Sequence, residues 1–180
     1  FLNAGPGYGG SCLPKDMKAL INFANISGIN PTLLNAVEEI NIKQLEQIIS
    51  MTKQKLGDLA SKKITILGTA FKPDTDDVRD SIAIKLIEKL LKRKAVVTIH
   101  DPKAIDNTRD IFGSKIKYSK SIKDALSKSQ CVIIMTQWKQ YTKLNNNEFN
   151  HMEKKLVIDC RRMLIKKQLD VDYFAIGLGE

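Results

Sequence analysis

Residues 1–16 read Phe-Leu-Asn-Ala-Gly-Pro-Gly-Tyr-Gly-Gly-Ser-Cys-Leu-Pro-Lys-Asp, and this stretch holds the residue types best suited to chemistry. Four glycines within six positions, Gly5 to Gly10, let the backbone approach a ligand closely and adopt positive φ. Pro14 carries the fixed φ suited to a first helical turn. Asp16 falls in the same turn, where a carboxylate suits the helix dipole. Cys12 therefore stands beside exposed N–H groups and near Lys15, a setting that favours the thiolate. The stretch reads as a substrate cradle ending in a nucleophile. A lone cysteine is more often a small buried hydrophobe; Gly-Gly-Ser before Cys12 and Pro-Lys-Asp after it tip the balance. No Gly-Lys-Ser/Thr closes the run, so it is not a P-loop.

Other candidate chemistry is spread along the chain in polar clusters, each following an apolar run. They are Phe71-Lys72-Pro73, Asp101-Pro102, Thr136-Gln137-Trp138 and Asp159-Cys160-Arg161. Lys72 offers a cation for phosphate or sugar oxygens, and Phe71 a hydrophobic wall, although an isolated loop lysine is usually just solvated. Arg161 ends a run that reads as a buried strand, where a charge needs a partner. Arg79 lies in an acidic segment, Asp74 to Asp80, that could simply hold it, while Asp80 or Ser81 could cap the helix that follows. Trp138 reads as packing, Arg162 as solvent-facing, and His100 and His151 as structural or exposed.

The elements that must position these groups follow from hydrophobic period. Met17, Leu20, Ile21 and Ala24 recur at helical spacing up to Ser27-Gly28. Asn30-Pro31 restarts the chain into a long helix ending near Leu56 and Gly57, about 40 Å in length at 1.5 Å per residue. Leu34, Val37, Ile40, Leu45, Ile48, Ile49 and Met51 suggest one broad apolar face. From Lys62 strands and helices alternate: strands at 63–68, 95–100, 130–135 and 155–159, with a last short one at 173–177. Helices fall at 81–92, 103–112 and 121–127, and a polar, Asn-rich loop with a short helix precedes the 155–159 strand. This pattern predicts an α/β fold, a Rossmann-like parallel sheet with helices on both faces, preceded by a helical segment with one long helix. The expected division is 1–60 for the cysteine loop and helices and 61–180 for the sheet domain. Gly68-Thr69-Ala70 is not the G-x-G-x-x-G of a dinucleotide site. In such a sheet all strand carboxyl ends share an edge where ligands bind, so the four clusters are expected to converge there.

Size and composition bound the rest. With 180 residues, 43% of them hydrophobic, the chain can build a domain-sized core plus an appendage. No signal peptide or transmembrane-length run is evident, so neither a membrane nor secretion is expected. Cys12, Cys131 and Cys160 form neither a disulfide framework nor a zinc pattern, which suggests a reducing cytoplasm and no metal. The net charge of +9 could mean nucleic acid. The lysines instead scatter over helix faces (Lys85, Lys89, Lys92, Lys94) without the interleaved aromatics of a single-strand binder. No nucleic-acid partner is expected, and a mildly positive surface suits an anionic diphosphate.

Gly7-Tyr8-Gly9-Gly10-Ser11-Cys12-Leu13-Pro14-Lys15-Asp16 resembles the catalytic-cysteine signature of the UDP-glucose/GDP-mannose dehydrogenase family, and residues 1–6 resemble its UDP-glucose branch in particular. Ala70-Phe71-Lys72-Pro73, the segment Asp74 to Ser81, and Asp159-Cys160-Arg161 are similar to further family segments. Cys160 replaces a usual glycine, and Gln137 a usual glutamate. The resemblance implies Cys12, Lys15 and Asp16 as catalytic residues. It implies Phe1, Asn3, Gly7, Tyr8, Gly9, Phe71, Lys72 and Arg161 as substrate contacts, and Lys15 and Arg79 as cofactor contacts. It further implies NAD as cofactor, UDP-glucose or a related nucleotide sugar as substrate, and a homodimer formed through the long helix.

The resemblance covers nearly the whole chain but only the family's carboxyl-terminal part. The chain opens in mid-motif without Met, so a fragment is expected, lacking an amino-terminal NAD domain and therefore inactive alone. GDP-mannose is the alternative ligand. A non-catalytic nucleotide-binding module and a basic nucleic-acid binder remain as alternatives from other classes.

Overall fold

The computed structural model describes residues 5–178. In chain order the elements are α1 (Leu13–Ile26), α2 (Thr32–Leu56), β1 (Lys63–Leu67), α3 (Ile82–Lys92), β2 (Val96–His100), α4 (Ile105–Phe112), β3 (Lys117–Tyr118), α5 (Ile122–Leu126), β4 (Cys131–Ile134), α6 (Asn146–Phe149), β5 (Leu156–Asp159) and β6 (Asp172–Ala175). Cys12 is the N-cap of α1, and Pro14 and Asp16 fall in its first turn, as the loop reading requires. Gly57 stops α2, its N–H donating to the Lys53 carbonyl.

The six strands form one wholly parallel sheet in the order β3-β2-β1-β4-β5-β6. Registers such as Ile64 against both Val97 and Cys131 stack the central strands directly. The inner strands β4 and β5 are buried at every residue, because helices cover both faces of a parallel sheet and leave no polar alternation. β3 is the one strand that period did not announce. Two residues, Lys117 and Tyr118, are too few to show any repeat, and only the pairing with Thr98 and Ile99 defines them.

α3 buries Ile82, Ala83, Ile84, Leu86, Ile87 and Leu90. The second half of α2 packs beside it through Leu45, Ile48, Ile49 and Thr52, and Glu46 and Lys89 form an ion pair across the two helices. The single broad apolar face expected for α2 is not what forms. Leu45, Ile48 and Ile49 turn inward, whereas Ile40 is exposed, as are Leu33 and Ile42.

Two buried aspartates shape the sheet's ligand edge. Asp101, after β2, accepts from the N–H groups of Thr69, Ala70, Lys103 and Ala104 and from Trp138 Nε1. Asp159, closing β5, accepts from the N–H groups of Arg161, Met163 and Leu164 and from the Tyr173 hydroxyl. Each carboxylate is buried and fully engaged, which offsets its desolvation. His100 is also buried, bonded to the Tyr141 hydroxyl at 2.9 Å, and His151 is exposed.

Candidate active site

The strand order reverses between β1 and β4, and ligands in open parallel sheets bind outside such a point. There the glycine loop lies across the sheet edge. A Cβ added at Gly10 would stand 2.6 Å from the Phe71 ring, and one at Gly9 would strike the Asp80 carbonyl oxygen. Only glycine permits this approach, and Gly10 also has φ +92°, a conformation side chains disfavour. One at Gly5 would stand 3.0 Å from the Arg161 guanidinium. Loop, Phe71 and Arg161 thus meet at one place, together with Pro6, Ser81, Ile82, Ala83, Met135 and Thr136. The crevice between them measures about 10 Å³, room for a single water. Anything larger must lie along its rim or lift the loop.

Arg161 is half-buried. Its Nε donates to the Met135 carbonyl at 2.7 Å, and no carboxylate lies within ion-pair distance of it among the described residues. Desolvation lowers its pKa. A partly desolvated guanidinium with spare donors is well suited to a phosphate. Beside it, the Ser81 side chain does not cap α3 but donates to the Thr69 carbonyl at 2.7 Å. Asp80 does not cap it either, pairing instead with Lys85. The first turn of α3 thus has no side-chain cap at the crevice, the arrangement in which helix N-termini take anions.

Cys12 is exposed, and both other cysteines are buried. Lys15 pairs with Asp16 at 3.1 Å, and Arg79 makes a fork with Asp77, so the acidic segment does hold that arginine. Each pairing raises its cation's pKa, with a smaller contribution from the charge of Cys12 in both cases. Lys15 lies in the first turn of α1, which Cys12 caps, and Gly9 packs against Asp80, the residue after Arg79, so chain position keeps both cations near the loop. Lys72 is exposed, its ammonium 5.4 Å above the Phe71 ring.

Not all of the expected convergence takes place. Asp101 and Trp138 are consumed in the buried knot, and Asp159 in the other. Pro73, Asp74, Pro102, Gln137 and Trp138 border a separate hollow. Cys160 lies wholly buried, with burial raising its thiol pKa. Phe1 and Asn3 lie outside the described residues. Tyr8 donates its hydroxyl to Glu38 at 2.6 Å and its backbone N–H to Asn41 at 2.7 Å. Glu38, Asn41, the first turn of α3 and the Met135 carbonyl escaped the sequence reading. Glu38 and Asn41 left one usable sign: they are polar residues at helical spacing between Leu34 and Leu45, on the face that turns inward.

The dinucleotide question has a structural answer at β1. In a dinucleotide site the N–H groups of the turn after the first strand face the pyrophosphate. Here the Thr69 and Ala70 N–H groups both bond to Asp101 Oδ2, at 2.7 and 3.1 Å. That turn does not fit NAD. Among the described residues, no helix is long and apolar enough to cross a membrane, and no group of His, Cys, Asp and Glu is placed to hold a metal ion.

Residues 65–166 match the UDP-binding domain model of the UDP-glucose/GDP-mannose dehydrogenase family, and residues 1–43 match its central domain model. The chain belongs to the UDP-glucose/GDP-mannose dehydrogenase family. It is 40% identical over 173 residues to the UDP-glucose 6-dehydrogenase AglM of Haloferax volcanii, covering 96% of this chain and 39% of that protein. To the UDP-glucose 6-dehydrogenase of Rickettsia conorii it is 36% identical over 183 residues, covering 98% and 42%. The solved UDP-glucose dehydrogenase of Pyrobaculum islandicum superposes with a TM-score of 0.86 at 34% identity, covering 95% and 38%. GDP-mannose dehydrogenase of Pseudomonas aeruginosa shares the fold, with a TM-score of 0.80 at 22% identity, covering 98% and 41%. The chain thus spans about two fifths of the length of these family members.

Proposed function

We propose that this chain is the cysteine-loop and nucleotide-sugar-binding part of a UDP-glucose 6-dehydrogenase. The observation that carries this reading is the seating of the Cys12 loop on Phe71, Asp80 and Arg161 at the sheet's ligand edge. Arg161 and the uncapped first turn of α3 are complementary to a diphosphate, Phe71 to an apolar ring face, and Lys72 to the outer oxygens. The matches to UDP-glucose enzymes above 30% identity favour UDP-glucose over GDP-mannose as ligand.

The overall conversion takes UDP-glucose, two NAD⁺ and one water to UDP-glucuronate, two NADH and three protons. NAD supplies the hydride acceptor. The turn after β1 is closed to it, and among the described residues Lys15 and Arg79 would be its outer contacts. Cys12 Sγ adds to the carbon of the C6 aldehyde. After hydride loss, the same sulfur is the leaving group when water cleaves the thioester. A thiolate does both because it is nucleophilic and leaves readily. Asp16 is placed to take a proton from that water, and Lys15 to screen the developing charge.

A cytoplasmic location suits the reduced thiol of Cys12. A homodimer through α1 and α2 would cover their exposed apolar residues.

Titration calorimetry with UDP-glucose and GDP-mannose tests the ligand. We expect heat with UDP-glucose and a tenfold or greater loss of affinity, about 1.4 kcal/mol or more, in Arg161→Ala. Tighter binding of GDP-mannose, or an unchanged Arg161→Ala, would overturn the assignment.

A further inference from the structure

The loop that carries Cys12 is gripped from a second side, by α2. The Asn41 carboxamide spans the Tyr8 backbone. Tyr8 N–H donates to Asn41 Oδ1 at 2.7 Å, and Asn41 Nδ2 donates to the Tyr8 carbonyl at 3.1 Å. One side chain thereby satisfies both backbone polar groups of the residue. One turn earlier, Glu38 accepts the Tyr8 hydroxyl. A Cβ at Gly7 would collide with Asn41 Oδ1, so the loop backbone packs directly on the Asn41 side chain. Gly9 and Gly10 then press on Asp80 and Phe71, and Cys12 follows directly. The loop is thus fixed on the sheet side and on the α2 side, and the thiol sits where the second constraint hands over to α1.

We infer that Asn41, backed by Glu38, is a positioning residue that holds Cys12 at the sheet edge beside the segment carrying Arg79. The inference rests on Cys12 being the reacting thiol of the proposed function. It predicts more than stability. A clamp that only completes the packing of α2 would leave the potential at the Cys12 sulfur unchanged when removed. A clamp that positions the thiol would not, because Arg79 is tied to Asp77 on the sheet side and does not follow the loop.

The test compares alkylation of Cys12 by anionic iodoacetate and neutral iodoacetamide in this chain. In both reactions the same thiolate forms an S–C bond and iodide leaves, so the ratio of the rates cancels the thiolate fraction and reports the local potential. Cys12→Ser supplies the blank for the buried Cys131 and Cys160. We expect the iodoacetate-to-iodoacetamide ratio in the folded chain to exceed that in urea by about threefold, the scale of a screened interaction with nearby cations. Asn41→Ala and Asn41→Leu should bring it down toward the urea value while helix content stays unchanged. Asn41→Leu keeps the shape of the side chain and the helical propensity of α2, so it carries the test should the alanine variant fold poorly. Glu39→Gln, on the outer face of α2 beside Lys43, should leave the ratio as it is. Folded Asn41 variants that retain the wild-type ratio, or a wild-type ratio equal to that in urea, would overturn the inference. Failure of the UDP-glucose reading would appear separately, as absent calorimetric binding with this ratio intact.

Discussion

Tyr8 shows at the scale of one residue how the site is held. Burial, reinforced by the Glu38 carboxylate that accepts its hydroxyl, raises its pKa to about 12, above the usual value near 10. The folded state therefore binds the proton more tightly than the unfolded chain. The contribution of this hydrogen bond is fully present below about pH 10 and is lost as pH rises through about 12. The tyrosinate absorbance of wild type minus that of Tyr8→Phe should titrate with a midpoint close to 12, and Glu38→Gln should move it back toward 10. A midpoint near 10 in wild type would mean that the hydroxyl is free. The roles of Cys12, Lys72 and Arg161 could be posed from their neighbours in sequence. The partners of Tyr8 could not, because Glu38 and Asn41 lie thirty or more residues away.

At the scale of elements, the ligand edge depends on Asp101 more than on any residue lining the crevice. It ties the turn after β1, the start of α4 and Trp138 into one knot. Asp101→Ala would leave three buried N–H groups, the part-buried N–H of Lys103 and the indole N–H without their acceptor. We expect a loss of about 3 kcal/mol or more and a melting temperature lower by ~10 °C, together with weaker nucleotide binding as the Phe71 loop loosens. A melting point within a degree or two of wild type would contradict this. Helices were legible from their apolar period, as in α3, and inner strands from continuous apolar runs, as in β4. What was hidden is the use of polar residues at strand ends. Asp101 reads as a ligand contact from its place after β2, yet its oxygens are spent on the backbone. Arg161, two residues past the end of β5, keeps donors free. Sequence position alone does not separate the two cases, since only the loop's folded path decides which N–H groups reach the carboxylate.

For the whole molecule, the exposed apolar side chains concentrate on α1 and the first half of α2. Phe23, Ile26 and Leu33 are 69%, 77% and 75% exposed, which is costly in water. A second copy covering this face would bury it and would also stiffen the helix that grips the Cys12 loop. Sedimentation should show a dimer for this chain and a monomer for Phe23→Glu with Leu33→Glu. A wild-type monomer at high concentration would contradict pairing through this face. The family and the parallel sheet were within reach of the sequence, but the split of the polar clusters between two hollows was not. The thiol must lie within reach of a bound nucleotide sugar, and ligand protection measures that directly. Alkylation of Cys12 by iodoacetamide should slow markedly at saturating UDP-glucose, and Arg161→Ala should demand far more ligand for the same protection. A Cys12 rate that is the same with and without UDP-glucose would contradict it.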